Sequence, residues 1–253
     1  NNQEILDSII QAYKVAEHPS VLLPVNVCYD GFFLSHLIER VDIPAQELVD
    51  QFLPPYKAQH VVMDPKKPIV VDPMTPGPKL MKFRRNHLES MQAALDVIVS
   101  VDEEFGKMFG RSYGGVIEEY KMQGADSALI TIGSPTGAGK EAVDYWRSQG
   151  RNVGLIKVRV LRPFPAQRLI RALQGVKAIG VVDRSVSFGW NSGALYQEIL
   201  AVLGQARLMI PSVSFIGGLG GADITLDHMI KAFDIVSNLN DSTEAIHPTQ
   251  WLE

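Results

Sequence analysis

From residue 127 onward, short apolar runs alternate with amphipathic stretches. The runs at 127–132, 153–160, 177–183 and 212–217 are dominated by Ala, Val, Ile, Leu and Phe, the pattern of strands buried on both faces. Helical spacing follows each of them, near 138–149, 165–174, 193–203 and 225–236. Pro165 suits the first turn of its helix because its missing N–H would have no intrahelical partner there. Thr225 is the expected N-cap of LDHMIKAF. Together these features predict an α/β protein with a mainly parallel sheet between two helical layers.

The first half has a different pattern. A helix is predicted with apolar positions at Ile5, Ile9, Tyr13 and Ala16, then a strand at 21–29 with Cys28 as a small buried filler. One helix and one strand cannot form a core. They read as the end of a domain that begins upstream of Asn1, unless they pack on the later domain. Residues 41–82 are proline-rich without a sustained period, which predicts an extended connector. A long amphipathic helix follows, with Leu88, Met91, Leu95, Ile98, Asp102 and Phe105 along one stripe, and Asp102 predicts fraying or a break. Residues 111–125 support no assignment. The expected segments are 1–55, 56–83, 84–126 and 127–253.

Composition narrows the classes. With 46% apolar residues, 21% charged residues and net charge −4, the 253-residue chain is neither disordered nor built to hold nucleic acid. No apolar run is long enough to span a membrane and no signal peptide opens the chain, so it is read as cytoplasmic. The single cysteine excludes an internal disulfide, a CxxC pair and a cysteine-held iron–sulfur cluster from this chain alone.

The stretch LITIGSPTGAGKEAVDYW has the strand, glycine turn and helix of a nucleotide site, but not its spacing. Gly133 and Gly139 lie one residue too far apart for a Walker A loop, and Glu141 stands where a hydroxyl should reach a metal. In GGLGGADIT the third fingerprint glycine is replaced by Asp223, which opposes a dinucleotide; the cluster can still allow close backbone approach or form an N–H nest. Asp183 and Arg184 end a strand, where such neighbours commonly serve local hydrogen bonding. Arg162, between a strand and a Pro-Phe-Pro turn, suits a carboxylate or phosphate partner, and a salt bridge across a subunit contact is expected. His36 follows the predicted strand that ends at Tyr29 and has no second acid or base beside it in sequence, so a hydrogen-bonded structural role is its default. No metal-ligand spacing, nucleophile elbow or paired catalytic carboxylates emerge, so the chain has no recognisable reaction centre of its own.

Six segments, LLPVNVCYDGFFLSH, VDIPAQELVDQFLPPYK, GRSYGGVIEEY, KVRVLRPFP, DRSVSFG and GGLGGADIT, resemble in order and spacing the α subunit of 2-oxoacid:ferredoxin oxidoreductases of the pyruvate type. The resemblance implies the end of a thiamine-enzyme pyrimidine-binding domain at 1–55 and a transketolase C-terminal-like three-layer domain from 127. It implies thiamine diphosphate and Mg²⁺ held mainly by a β subunit, iron–sulfur clusters on other subunits, and CoA as cosubstrate. The implied partners are β, γ and ferredoxin-like δ subunits, with ferredoxin as electron acceptor and neither nucleic acid nor membrane. On the matching segments Asp30 and His36 become substrate-adjacent candidates. Arg162, Asp183, Arg184, Ser187 and Gly220 become subunit-interface candidates, while no catalytic residue or metal ligand is assigned. The family commonly has Arg where this chain has Ala222, so any contact made by that arginine is missing. The implied reaction is reversible oxidative decarboxylation of a 2-oxoacid, pyruvate expected. Phenylglyoxylate, oxalate, 2-oxoglutarate and branched-chain 2-oxoacids stay open, as does a non-catalytic assembly module.

Overall fold

A computed structural model describes residues 1–58, 61–71, 74–239 and 247–253, which divide into two compact units. Unit 1 comprises Asn1–Cys28 and Glu39–Gly115; unit 2 comprises Tyr29–Ile38 and Val116–Glu253.

Unit 1 contains helices α1 (Asn2–Ala16), α2 (Gln46–Phe52) and α3 (Gly77–Phe109). Its apolar core is Val15, Val21, Phe52, Ala94, Val97, Val101 and Phe105. Phe52 meets Phe105 edge-on at 5.4 Å between ring centroids, and Phe105 stacks on Phe109 at 4.3 Å. The helix α2 lies inside the stretch expected to be an extended connector, because Leu-Val-Asp-Gln-Phe delivers Phe52 into this aromatic cluster.

Three expectations for this unit are corrected. First, residues 21–29 form no strand. Pro24 removes a ladder donor and Leu22 has φ 46, outside the strand region, so the segment joins no ladder, and Cys28 is exposed rather than buried. Second, α1 buries Asp7, Gln11 and Val15 and leaves Ile9 and Tyr13 exposed. Apolar spacing misread that face because two of its three buried residues, Asp7 and Gln11, are polar, and the Asp7 carboxylate is buried with its hydrogen bonds made. Third, α3 runs unbroken through Asp102 and stops at Gly110, whose φ of 71 suits the left-handed cap. Asp102 is buried, and its carboxylate accepts bonds from Ser112 Oγ at 2.7 Å, Gly115 N at 3.0 Å and Tyr113 N at 3.2 Å. Its donors come from the returning loop, so the charge is satisfied without interrupting the helix.

Asp7 anchors that same loop. Arg111 embraces it in bidentate fashion, Nε to Oδ2 at 2.7 Å and Nη2 to Oδ1 at 3.1 Å, and Tyr113 Oη donates to Oδ2 at 2.7 Å. Hydrogen bonding to Asp7 raises the Arg111 pKa further above its ordinary value; burial and then the Asp7 bond raise that of the Tyr113 phenol. Folding raises the phenol's pKa from 10.0, so its stabilisation is full below that value and fades as pH rises past it. Tyr113→Phe is therefore expected to cost about 1 kcal/mol near neutrality. That difference should shrink above pH 10, as measured by urea unfolding across the alkaline range.

Among the described residues of unit 2, strands β1 (Ile117–Tyr120), β2 (Ser127–Thr131), β3 (Val153–Val158), β4 (Ala178–Asp183), β5 (Ser212–Gly217) and β6 (Gln250–Leu252) form one sheet in the order β1-β3-β2-β4-β5-β6. Only β1, against β3, is antiparallel. The four central strands and their helices, α4 (Thr136–Ser148), α5 (Ala166–Ala172), α6 (Ala194–Ala206) and α7 (Leu226–Asn238), match the expected alternation to within a few residues. Two cores result. One joins Leu129, Leu155 and Phe215 to Val143, Met229 and Phe233; the other joins Ile130, Ile156 and Ile179 to Leu169, Ile199 and Leu203. Thr225 caps α7, its hydroxyl accepting from His228 N at 3.3 Å while His228 Nδ1 accepts from Thr225 N. No helix among the described residues is long and apolar enough to cross a membrane.

Candidate functional site

The parallel strands bring the turns after β2, β4 and β5 to one edge of unit 2, the edge at which such sheets usually receive ligands. These turns carry Ser134, Arg184 and Gly218. Ser134 and Arg184 share a partner in Asp30, on the Tyr29–Ile38 arm of the same unit, while Gly218 meets Arg184. Ser134 N donates to Asp30 Oδ2 at 2.7 Å, and Arg184 Nη1 lies 3.3 Å from Oδ1. Arg184 also donates to Ser134 Oγ at 3.1 Å and to the Gly218 carbonyl at 3.3 Å, and its guanidinium sits 4.8 Å over the Phe33 ring. The two charged side chains are 20% and 18% exposed, so this pair is less screened than an ordinary surface ion pair.

The glycine turn has a local logic of its own. Thr136 Oγ1 bonds the Gly133 carbonyl at 2.8 Å and Thr131 Oγ1 at 2.9 Å, tying strand end to helix start. Gly133 has φ 73, and an added Cβ would stand 2.9 Å from Asp30 Oδ2. The turn is thus shaped around a carboxylate. A Cβ at Gly139 would lie 2.4 Å from Leu155 Cδ1, so that glycine serves the packing of α4 on β3. Lys140 pairs with Glu118 of β1. Lys140→Ala is expected to leave ATP binding at the level of a no-protein blank and to cost no more than about 1 kcal/mol, read by calorimetry and urea unfolding.

Asp183 and Arg184, neighbours in sequence, serve different partners. Buried Asp183 accepts from Leu195 N at 2.9 Å and Tyr196 N at 3.1 Å, closing the start of α6. Burial raises its carboxyl pKa, partly opposed by those two backbone bonds. Arg162 is exposed and pairs with Glu198 of α6. Ser187 N donates to the Ser192 carbonyl at 2.8 Å within the loop after β4, where Phe188 and Trp190 are exposed. Gly220 has φ 64 and open space around it. His36 is exposed, stacked on Phe32 at 4.9 Å between centroids, and its Nδ1 is 2.7 Å from Ser35 Oγ. Of the seven candidates the structure joins Asp30 directly to Arg184 and leaves Arg162 and Ser187 to separate partners.

Sequence reasoning missed the Ser134 amide, Gly133 and Phe33. An Asp followed by aromatic residues and a glycine turn after an apolar strand were both visible, but nothing local links positions a hundred residues apart.

The donor set also tests the cofactor implied by the resemblance. Among the described residues no group of three His, Cys, Asp or Glu could hold a metal ion. The Ser134 amide and Arg184, the donors best suited to an anion, already hold Asp30. These residues do not fit a metal-bound diphosphate, and no step through such a group is derived for this chain.

Comparison with known proteins agrees with this architecture. Residues 1–103 match the family described as "Pyruvate flavodoxin/ferredoxin oxidoreductase, thiamine diP-bdg", and residues 125–229 match "Pyruvate:ferredoxin oxidoreductase core domain II". The NADH-dependent phenylglyoxylate dehydrogenase subunit alpha of Aromatoleum evansii is 45% identical over 99% of this chain and 62% of its own length. The pyruvate synthase subunit PorA of Methanocaldococcus jannaschii is 41% identical over 96% of this chain and 62% of its own. The ketoisovalerate oxidoreductase subunit VorA of Pyrococcus horikoshii is 40% identical over 99% and 63%. The two matches follow one another along the chain and describe domains of one enzyme class, the first taking in unit 1 as far as residue 103 together with the Tyr29–Ile38 arm, the second most of the α/β unit. The chain belongs to the 2-oxoacid:ferredoxin oxidoreductase family, in its α subunit. It spans a little over three fifths of the length of these curated relatives.

Proposed function

We propose that this chain is part of the α subunit of a thiamine diphosphate-dependent complex that oxidatively decarboxylates a 2-oxoacid, pyruvate first among them, with CoA, giving acyl-CoA, CO₂ and reduced ferredoxin. The observation that carries this reading is the 41% identity to a pyruvate synthase subunit along 96% of the chain. Thiamine diphosphate supplies the carbanion-stabilising chemistry when bound, and a partner subunit holds its diphosphate and Mg²⁺. Other subunits carry the iron–sulfur clusters. This chain's residues contribute scaffold and contact surface, with Arg162, Ser187 and Gly220 facing partner subunits and Asp30 and His36 toward the substrate side.

Co-purification of the full-length subunit with its partners tests this. The expected product is a brown complex containing thiamine diphosphate that reduces a viologen dye when given a 2-oxoacid and CoA, with pyruvate giving the highest kcat/KM. A colourless, cofactor-free assembly inert to every 2-oxoacid would overturn the reading. A second reading, the same chemistry on phenylglyoxylate, draws on the 45% identity to the phenylglyoxylate enzyme's α subunit. It predicts that the aryl substrate outranks pyruvate in the same assay.

A further inference from the structure

Residues Tyr29–Ile38 belong to unit 2, although the chain on either side belongs to unit 1. The strap folds into short turns, with Phe33 N to the Gly31 carbonyl at 2.8 Å, His36 N to the Phe32 carbonyl at 3.1 Å and Phe32 N to Ser35 Oγ at 2.9 Å. Turns this short are not stable alone in water. Apolar burial is a weak fastening here, since Phe32 and Ile38 are 72% and 97% exposed. The specific grip is at Asp30, where the turns after β2 and β4 converge on one carboxylate and the turn after β5 steadies the arginine that meets it. Gly133, with no Cβ, leaves the room that this carboxylate fills.

We propose that Asp30 and Arg184 form an ionic latch that holds the Tyr29–Ile38 strap against the carboxyl-terminal edge of the sheet, and that breaking this pair releases the strap while the sheet stays folded. The Ser134 amide orients the carboxylate and Phe33 backs the guanidinium, so four groups from three chain segments close together. The latch fixes where the stacked Phe32–His36 pair stands at that edge, and its release opens the edge. The proposal rests on the fold alone and needs no turnover to test.

Hydrogen–deuterium exchange on the full-length protein in its native complex is the test, comparing wild type with Asp30→Asn, Arg184→Ala and the double variant. Peptides covering 29–38 are expected to exchange at least about tenfold faster in each single variant, with no further gain in the double variant. Peptides covering 127–131 and 178–183 should be unchanged. Exchange within about twofold of wild type in both single variants would overturn the latch, and so would parallel acceleration of the strand peptides. Should the variants fail to fold, wild type alone decides. Strap exchange should rise at least about twofold between about 0.05 and about 1 M NaCl while strand exchange stays constant, and a flat salt response would refute the ionic fastening.

Discussion

Asp7→Ala is expected to destabilise unit 1 by about 3–5 kcal/mol, because removing one partner of a buried ion pair leaves the other charge uncompensated. Asp7 is 0% exposed and accepts from both nitrogens of the Arg111 fork and from the Tyr113 hydroxyl. Its loss takes from the Arg111 guanidinium a bidentate partner and from the Tyr113 phenol its acceptor at 2.7 Å. Arg111 keeps Asp42, at 2.9 Å, but that carboxylate is 80% exposed and offers only a screened contact. The loop from Arg111 to Gly115 would lose its Asp7 anchor and keep the one at Asp102. Urea unfolding followed by tryptophan-independent circular dichroism reads the loss. Asp7→Asn should recover part of it, since an amide oxygen can still accept from Arg111. A cost under about 1 kcal/mol for Asp7→Ala would mean that the network is surface decoration.

Gly193→Ala is expected to be the most damaging small substitution in unit 2. The position has φ −76, which any residue adopts, so backbone strain is not the cause. The cause is space: an added Cβ would lie 2.1 Å from Asp183 Cγ and 2.2 Å from its Cβ. Atoms so near the backbone cannot swing aside as a side-chain tip could. Either Asp183 leaves the Leu195 and Tyr196 amides, or α6 shifts away from β4. Overpacking of this kind costs about 1–3 kcal/mol, and forfeiting the two charge-assisted bonds adds to it. A loss above about 3 kcal/mol in urea unfolding is the expected result. Gly204→Ala, on the same helix with open space at its Cβ, is the control and should be neutral or slightly stabilising.

The central strands were legible because a strand buried on both faces writes most of its length in apolar residues, as β2, β3 and β4 do apart from Ser127, Thr131, Lys157 and Asp183 at or near their ends. Thr225 was legible for the same reason of locality, since its capping partner sits three residues away. The failures share the opposite property. Strand β1 contains Ile-Glu-Glu-Tyr, and only its antiparallel pairing with β3 makes it a strand. Residues 21–29 look like a strand but pair with nothing among the described residues. Asp102 reads as a defect in an apolar stripe until Ser112 and the Tyr113 and Gly115 amides fold back on it. The Asp30–Arg184 pair was named as two separate candidates; what could not be read was that they meet.

The ten-residue strap also limits how this molecule can be dissected. A recombinant fragment beginning at Val116 would contain every strand of the sheet and yet omit Asp30, leaving the Ser134 amide and Arg184 without the carboxylate they enclose. No single cut separates the two modules cleanly, and a faithful excised version of the second needs residues 29–38 supplied as a tethered or added peptide.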